Sequence, residues 1–84
     1  MDILRKQLKY QAWHRGTKEC DLLLGQFADA YVDEFDGVEL AELAAILGHQ
    51  DVDLYNWITG CITPDQLASN KVYQSLLGFY KKAC

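Results

Sequence analysis

The chain has 84 residues, of which 50% are apolar and only 24% are charged. This composition is too apolar for a disordered chain, and the length predicts one domain with a small core and a thin margin of stability. The formal net charge of −4 argues against a nucleic-acid partner, because binding to phosphates depends on Lys and Arg.

Residues 2–14 are predicted to form the first helix, because apolar side chains recur there at helical spacing. They are Ile3, Leu4, Leu8, Ala12 and Trp13. A second helix begins after residue 19 and carries Leu23, Leu24, Phe27 and Tyr31 in the same three–four rhythm. The indole of Trp13, at the junction, is expected either to pack under the intervening turn or to lie partly exposed.

The segment Arg15-Gly16-Thr17-Lys18-Glu19 interrupts this pattern and brings a cation, a glycine and a carboxylate within one turn. Gly16 can adopt φ > 0 and lets another surface approach closely. Arg15 and Glu19 flank that spot, and the arrangement suits docking onto a partner. From the spacing alone, a helix C-cap with two solvated charges is the more common explanation.

A third helix is predicted after Asp36, which is placed as an N-cap with Glu39 completing a capping box. Its apolar stripe is Leu40, Leu43, Ala44 and Leu47, and Gly48 ends the helix. A fourth helix follows from about residue 51 to residue 59, capped at its start by Asp51 or Asp53. Its inner face carries Leu54, Trp57 and Ile58.

Two starts are open for the fifth helix. Thr63 can cap it with Pro64 at the first position, where the missing N–H costs nothing, and with Gln66 at the capping-box spacing. Ser69-Asn70 is a weak point, so the helix otherwise begins at Lys71. Its apolar residues are Val72, Leu76 and Phe79 or Tyr80.

These segments predict an all-α fold, a compact five-helix bundle that forms a single domain over residues 1–84. The expected core consists of Leu8, Leu23, Phe27, Tyr31, Leu40, Leu43, Leu47, Leu54, Trp57, Leu76 and Phe79. No apolar run approaches the length of a membrane span, so no membrane insertion is expected. The amino terminus has neither the apolar core of a secretory signal nor the character of a transit peptide.

The three cysteines have no C-x-x-C spacing, which favours a reducing compartment. Cys20 and Cys61 are expected in or near the core. Cys84 is expected to be exposed and able to link two chains on oxidation.

The sequence carries none of the patterns expected of an enzyme. G-x-S-x-G, P-loop and G-x-G-x-x-G motifs are absent. His14 and His49 lie in different turn regions without a cluster of cysteines or carboxylates at ligand spacing. We therefore expect an interaction module with no catalytic residues, no metal and no cofactor of its own.

A helix-turn-helix DNA-binding regulator is the alternative, because Leu43 to Gly60 reads L-A-A-I-L-G-H-Q-D-V-D-L-Y-N-W-I-T-G. The helix that would read DNA carries Asp51 and Asp53, and no Lys or Arg occurs from residue 19 to residue 65. Carboxylates are repelled by the phosphates that border the major groove. The charge thus disfavours this alternative.

The segment from Trp13 to Phe27 contains R-G-x-x-E, an acidic residue and an apolar run ending in Phe. The segment from Asp51 to Ile58 reads D-x-D-L-x-x-W-I. These two segments resemble the R-G-x-x-E and D-x-D-L-x-x-W-[LI] motifs of the succinate dehydrogenase assembly factors that promote flavinylation. Their order and separation, the chain length and the helical layout agree with the family. The family often has an arginine where His14 stands and a bulky apolar residue where Thr17 stands.

The resemblance implies an assembly factor that binds the flavoprotein subunit of succinate dehydrogenase, and in bacteria also that of fumarate reductase. It implies that covalent attachment of FAD to a histidine of that subunit is promoted, so that FAD belongs to the partner. A cytoplasmic location in a bacterium follows, or the mitochondrial matrix if a presequence has been removed. We expect a monomer or a weak dimer.

We predict a partner-docking surface made of Arg15, Gly16 and Glu19, surrounded by His14, Thr17, Asp51 and Asp53. The planar donor fork of Arg15 suits a carboxylate or carbonyl groups of the partner. Glu19 either pairs with a partner cation or orients Arg15 from one helical turn away.

Overall fold

The computed structural model describes residues 2–80, except for the side chain of Asp2. These residues form α1 (Asp2–Trp13), α2 (Lys18–Tyr31), α3 (Gly37–Leu47), α4 (Asp51–Thr59) and α5 (Lys71–Tyr80), with 3₁₀ turns at Val32–Glu34 and Asp65–Leu67. No strand occurs between residues 2 and 80, so the all-α, five-helix prediction is confirmed. None of these helices is both long and apolar enough to cross a membrane. The prediction for Cys84 lies outside the described residues.

The contact between α1 and α2 depends on a small residue. A Cβ atom added to Gly25 would lie only 2.3 Å from the indole of Trp13, so this glycine lets the ring rest on the backbone of α2. The half-buried indole donates from Nε1 to Asp29 at 3.1 Å. Of the two positions predicted for Trp13, partial exposure is therefore the correct one, with the ring packed on α2.

Every helix contributes buried apolar side chains to one core. The predicted members that are buried are Leu8, Leu23, Phe27, Leu40, Leu43, Leu47, Leu54 and Leu76. The prediction was wrong for Tyr31 and Phe79, which are 38% and 37% exposed, and Trp57 is only half-buried against the core. Tyr31 packs tilted and Phe79 edge-on against the buried ring of Phe27, and both are partly exposed to solvent.

The helix α3 starts where it was predicted to start, but its buried apolar face differs from the predicted one at one position. Asp36 accepts from the backbone N–H of Glu39 at 2.8 Å, and Glu39 accepts in return from the N–H of Asp36 at 3.0 Å. Ala44 is exposed, and Ile46 is buried instead. The capping box is thus confirmed, while the apolar stripe is shifted.

The starts of the last two helices differ from the capping predictions. Gln50 precedes α4 without a side-chain cap, and Asp51 and Asp53 lie within its first turn. Thr63 and Pro64 precede only the short 3₁₀ turn, so the Thr63 start is wrong and the alternative start at Lys71 is confirmed. The buried side chain of Asn70 accepts from the N–H of Tyr73 at 2.9 Å and donates to the carbonyl of Glu42 in α3 at 2.9 Å. Asn70 therefore fixes the start of α5 against α3.

Candidate functional site

The turn between α1 and α2 contains the glycine singled out by the sequence. Gly16 has φ of 110°, a conformation that L side chains rarely adopt, so its predicted backbone role is confirmed. A Cβ atom there would lie 3.8 Å from Asp51 Oδ2, which is an ordinary contact. The turn is further held by the backbone N–H of Arg15, which donates to Asp21 Oδ1 at 2.6 Å. Conformation, and not lack of space, therefore selects glycine at this position.

The guanidinium of Arg15 binds the turn between α3 and α4 through three nitrogen atoms. Nε donates to Asp51 Oδ1 at 2.8 Å, Nη1 to the carbonyl of Leu47 and Nη2 to the carbonyl of His49. The Leu47 carbonyl belongs to the last turn of α3, where carbonyl groups lack helical partners. We call this set of contacts the Arg15 clamp.

The clamp directs Arg15 inward. Its side chain is only 11% exposed and that of Asp51 17% exposed. The expectation of a donor fork open to a partner therefore does not match the arrangement in the structure. The predicted orientation of Arg15 by Glu19 is also wrong, because Asp51 and two backbone carbonyl groups hold the guanidinium.

Asp51 connects several elements at the start of α4. Besides the ion pair with Arg15, its carboxylate accepts from Thr17 Oγ1 at 3.3 Å, and its carbonyl accepts from the thiol of Cys20 at 3.4 Å. A carboxylate in the first turn of a helix is also stabilised by the helix dipole. Cys20 is buried as predicted, and this burial raises the pKa of its thiol. The second cysteine with a core prediction, Cys61, is half-buried.

The other predicted site residues are exposed. They are His14, Gly16, Thr17, Glu19 and Asp53. The ring of His14 stacks on Tyr10 at 4.0 Å, and its Nδ1 lies 2.8 Å from the Tyr10 carbonyl oxygen. Among residues 2–80, the carboxylate of Glu19 makes no hydrogen bond or ion pair.

Two shallow grooves that sequence reasoning missed meet beside Glu19. The first is lined by Thr17, Glu19, Cys20, Asp51, Val52 and Tyr55. The second is lined by Glu19, Leu22, Leu23, Gln26, Tyr55, Phe79 and Tyr80. Val52 and Tyr55 lie three positions apart on α4 and are 60% and 40% exposed. The sequence could have indicated this groove, because these two apolar residues lie on α4 outside the buried face formed by Leu54 and Ile58.

The side chains around the Gly16 turn are either bound to one another or exposed. Within residues 2–80, no group of three or more His, Cys, Asp or Glu side chains is placed to hold a metal ion. The carboxylate of Asp51 is engaged by Arg15 and Thr17. The Gly16 turn and Glu19 are exposed, as are Val52 and Tyr55 in the groove beside them.

A family model described as flavinator of succinate dehydrogenase matches residues 6–80 of the chain. The chain is 39% identical over 80 residues to succinate dehydrogenase assembly factor 2, mitochondrial, of Scheffersomyces stipitis, a match that covers 90% of the chain and 54% of the relative. It is 41% identical over 56 residues to FAD assembly factor SdhE of Acetobacter pasteurianus, covering 67% and 51%, respectively. The chain thus spans about half the length of these curated relatives, whose names describe assembly factors and not enzymes. No solved structure matches the chain.

Proposed function

Since the chain belongs to the family of succinate dehydrogenase flavinators, we propose that it binds the flavoprotein subunit of succinate dehydrogenase and promotes covalent attachment of FAD to that subunit. The observation that carries this proposal is the family match over residues 6–80. The family consists of assembly factors, so the chain is not an enzyme. The flavoprotein subunit of fumarate reductase is a related candidate partner.

The docking surface we propose lies on the exposed side of the Arg15 clamp. Gly16 is exposed on the turn, as is Glu19, whose carboxylate has no partner among residues 2–80. Arg15 and Asp51 act on this surface indirectly, because their contacts hold the α1–α2 turn against the α3–α4 turn. His14, Thr17 and Asp53 complete the exposed surround.

In flavinylation, this chain binds the flavoprotein subunit and orients its reacting groups. The flavin and the partner's histidine supply the bond-forming chemistry. A rigid helical protein bound to the partner favours the partner conformation in which these two groups are close, and holding reacting groups in position lowers the barrier. Such a role requires a well-defined surface and no nucleophile on this chain.

The test is co-expression of the chain with the flavoprotein subunit in cells that lack their own factor. Covalent flavin is measured as fluorescence of the subunit band after denaturing electrophoresis. We expect strong fluorescence with the wild-type chain and with the matched surface variant Glu34→Gln, and little fluorescence without the chain. Equal fluorescence with and without the chain would overturn the proposal. Recovery of DNA with the purified chain would instead support the helix-turn-helix alternative.

A further inference from the structure

The two grooves beside Glu19 form one continuous surface across α2, α4 and α5. They share Glu19 and Tyr55, which lie at their junction. Five apolar side chains along the surface are more than a third exposed. They are Val52 (60%), Tyr55 (40%), Leu22 (42%), Phe79 (37%) and Tyr80 (44%), and we call this surface with Glu19 the Tyr55 groove.

Among residues 2–80, the charged side chains that line the Tyr55 groove are both acidic. They are Glu19 and Asp51, and no Lys or Arg of this part of the chain lines it. The carboxylate of Asp51 is neutralised by Arg15, whereas within residues 2–80 that of Glu19 has no partner. An apolar surface with one uncompensated carboxylate is complementary to an apolar segment that carries one cation.

We propose that the Tyr55 groove binds an apolar segment of the flavoprotein subunit whose Lys or Arg pairs with Glu19. This inference rests on the proposed function and extends the docking surface from the Gly16 turn over α4 to the end of α5. Tyr55, at the junction of the two grooves, is the expected centre of the contact, since tyrosine is enriched among the residues that dominate binding energy. Charge complementarity favours this occupant, because the carboxylate of Glu19 has no cation partner among residues 2–80. A second copy is a separate outcome of the test below.

The experiment measures affinity of purified variants for the purified flavoprotein subunit at low and at moderate salt. Tyr55→Ala and Val52→Asp should weaken binding by about tenfold or more, as central apolar contacts do. Glu19→Gln should weaken binding and also flatten its dependence on salt, because an ion pair is lost. Val38→Asp, on an exposed valine of α3 outside the groove, and Glu34→Gln are matched controls that should bind like wild type.

Each outcome is distinct. If the wild-type chain does not bind the subunit, the proposed function fails and the groove proposal fails with it. If the wild-type chain binds and the three groove variants bind equally well, only the groove proposal is overturned. Self-association of the wild-type chain in sedimentation that Tyr55→Ala abolishes would make a second copy the occupant and would also overturn it. Circular dichroism of each variant verifies that it is folded.

Discussion

Arg15 and Asp51 form an ion pair across 36 positions of sequence, with Arg15 Nε 2.8 Å from Asp51 Oδ1. The two segments that resemble the flavinylation factors, Trp13 to Phe27 and Asp51 to Ile58, meet at this pair. The same guanidinium binds the carbonyl groups of Leu47 and His49, so it connects the α1–α2 turn to the α3–α4 turn. The arginine of the R-G-x-x-E motif therefore holds the turn that contains the motif against the start of α4.

Removal of the Arg15 side chain should lower stability strongly. Arg15→Ala leaves the mostly buried carboxylate of Asp51 without its cation, and breaking such a pair costs about 3 kcal/mol. Asp51→Ala should have a similar effect. The double variant should cost less than the sum of the two by about 1–3 kcal/mol, because both changes remove the same contact. Urea unfolding followed by circular dichroism measures all three free energies.

Arg15→Lys is the control for charge. An ammonium group keeps the positive charge but cannot bind three separated acceptors as the planar fork does, so only a small part of the stability should return. If Arg15→Ala unfolds at the wild-type urea concentration and loses only partner binding, the stabilising role of the clamp is wrong. The arginine would then belong to the docking surface itself.

Two substitutions of Gly16 should separate folding from docking. Gly16→Ala and Gly16→Arg both place a side chain on a residue with φ of 110°, which costs about 1–3 kcal/mol through backbone strain. Their melting temperatures should therefore fall by similar amounts. Only Gly16→Arg puts a long charged group on the proposed docking surface, so at a temperature where both are folded it should flavinylate the partner far less than Gly16→Ala.

Gly78→Ala provides the matched glycine control. Gly78 lies within α5, and no atom of residues 2–80 that could clash lies within 4 Å of an added Cβ. Alanine favours a helix by up to about 1 kcal/mol over glycine. Its melting temperature should stay or rise. If Gly16→Ala and Gly16→Arg lose stability equally and both flavinylate normally when folded, then Gly16 serves only the fold.

Periodicity and composition were sufficient to predict the five helices, because each helix places its apolar residues on one face. The capping box of Asp36 and Glu39 was also predictable, since both partners lie within one turn. For α5 the sequence left two starts open, and the one at Lys71 is correct. The choice between them depends on Asn70 binding the carbonyl of Glu42, 28 positions away. Local patterns do not contain such a distant contact.

The candidate site was less predictable than the helices, because it too depends on contacts between residues distant in sequence. A glycine that interrupts a helical pattern indicates φ > 0, and Gly16 has it. Two of the acceptors of Arg15 are backbone carbonyl groups. Every residue has a carbonyl group, so the residue types in the sequence do not indicate which carbonyl groups bind this arginine. Reasoning from residue types accordingly assigned this guanidinium to a partner.

Gly25→Ala should destabilise the contact between the first two helices. The added methyl group would overlap the indole of Trp13, and overpacking of this kind costs about 1–3 kcal/mol. The cost should shrink when Trp13 is replaced by leucine, because the clash disappears. Chemical denaturation of the single and double variants measures this coupling. A Gly25→Ala protein as stable as wild type would show that the close approach is not required.

Tyr73→Phe should lower stability and change its dependence on pH. The fully buried phenol donates to the carbonyl of Ile62 at 2.6 Å, and loss of this hydrogen bond costs about 1 kcal/mol. Burial raises the pKa of Tyr73 above its ordinary value of 10.0. At pH above 10 the unfolded chain loses this proton while the folded chain retains it, so the free energy of unfolding falls as pH rises from 10 through the folded pKa. Below pH 10 the contribution is fully present.

Tyr73→Phe removes the ionisable group, so its free energy of unfolding should fall less steeply than that of wild type above pH 10. Tyr10→Phe is the matched control, because the ring of Tyr10 is 65% exposed on α1. The free energy of unfolding of Tyr10→Phe should vary with pH as that of wild type does, including the change caused by other groups that titrate at high pH. Urea unfolding at a series of pH values from 8 to 11 compares the three proteins. Parallel profiles for wild type and Tyr73→Phe would show that Tyr73 titrates alike in both states.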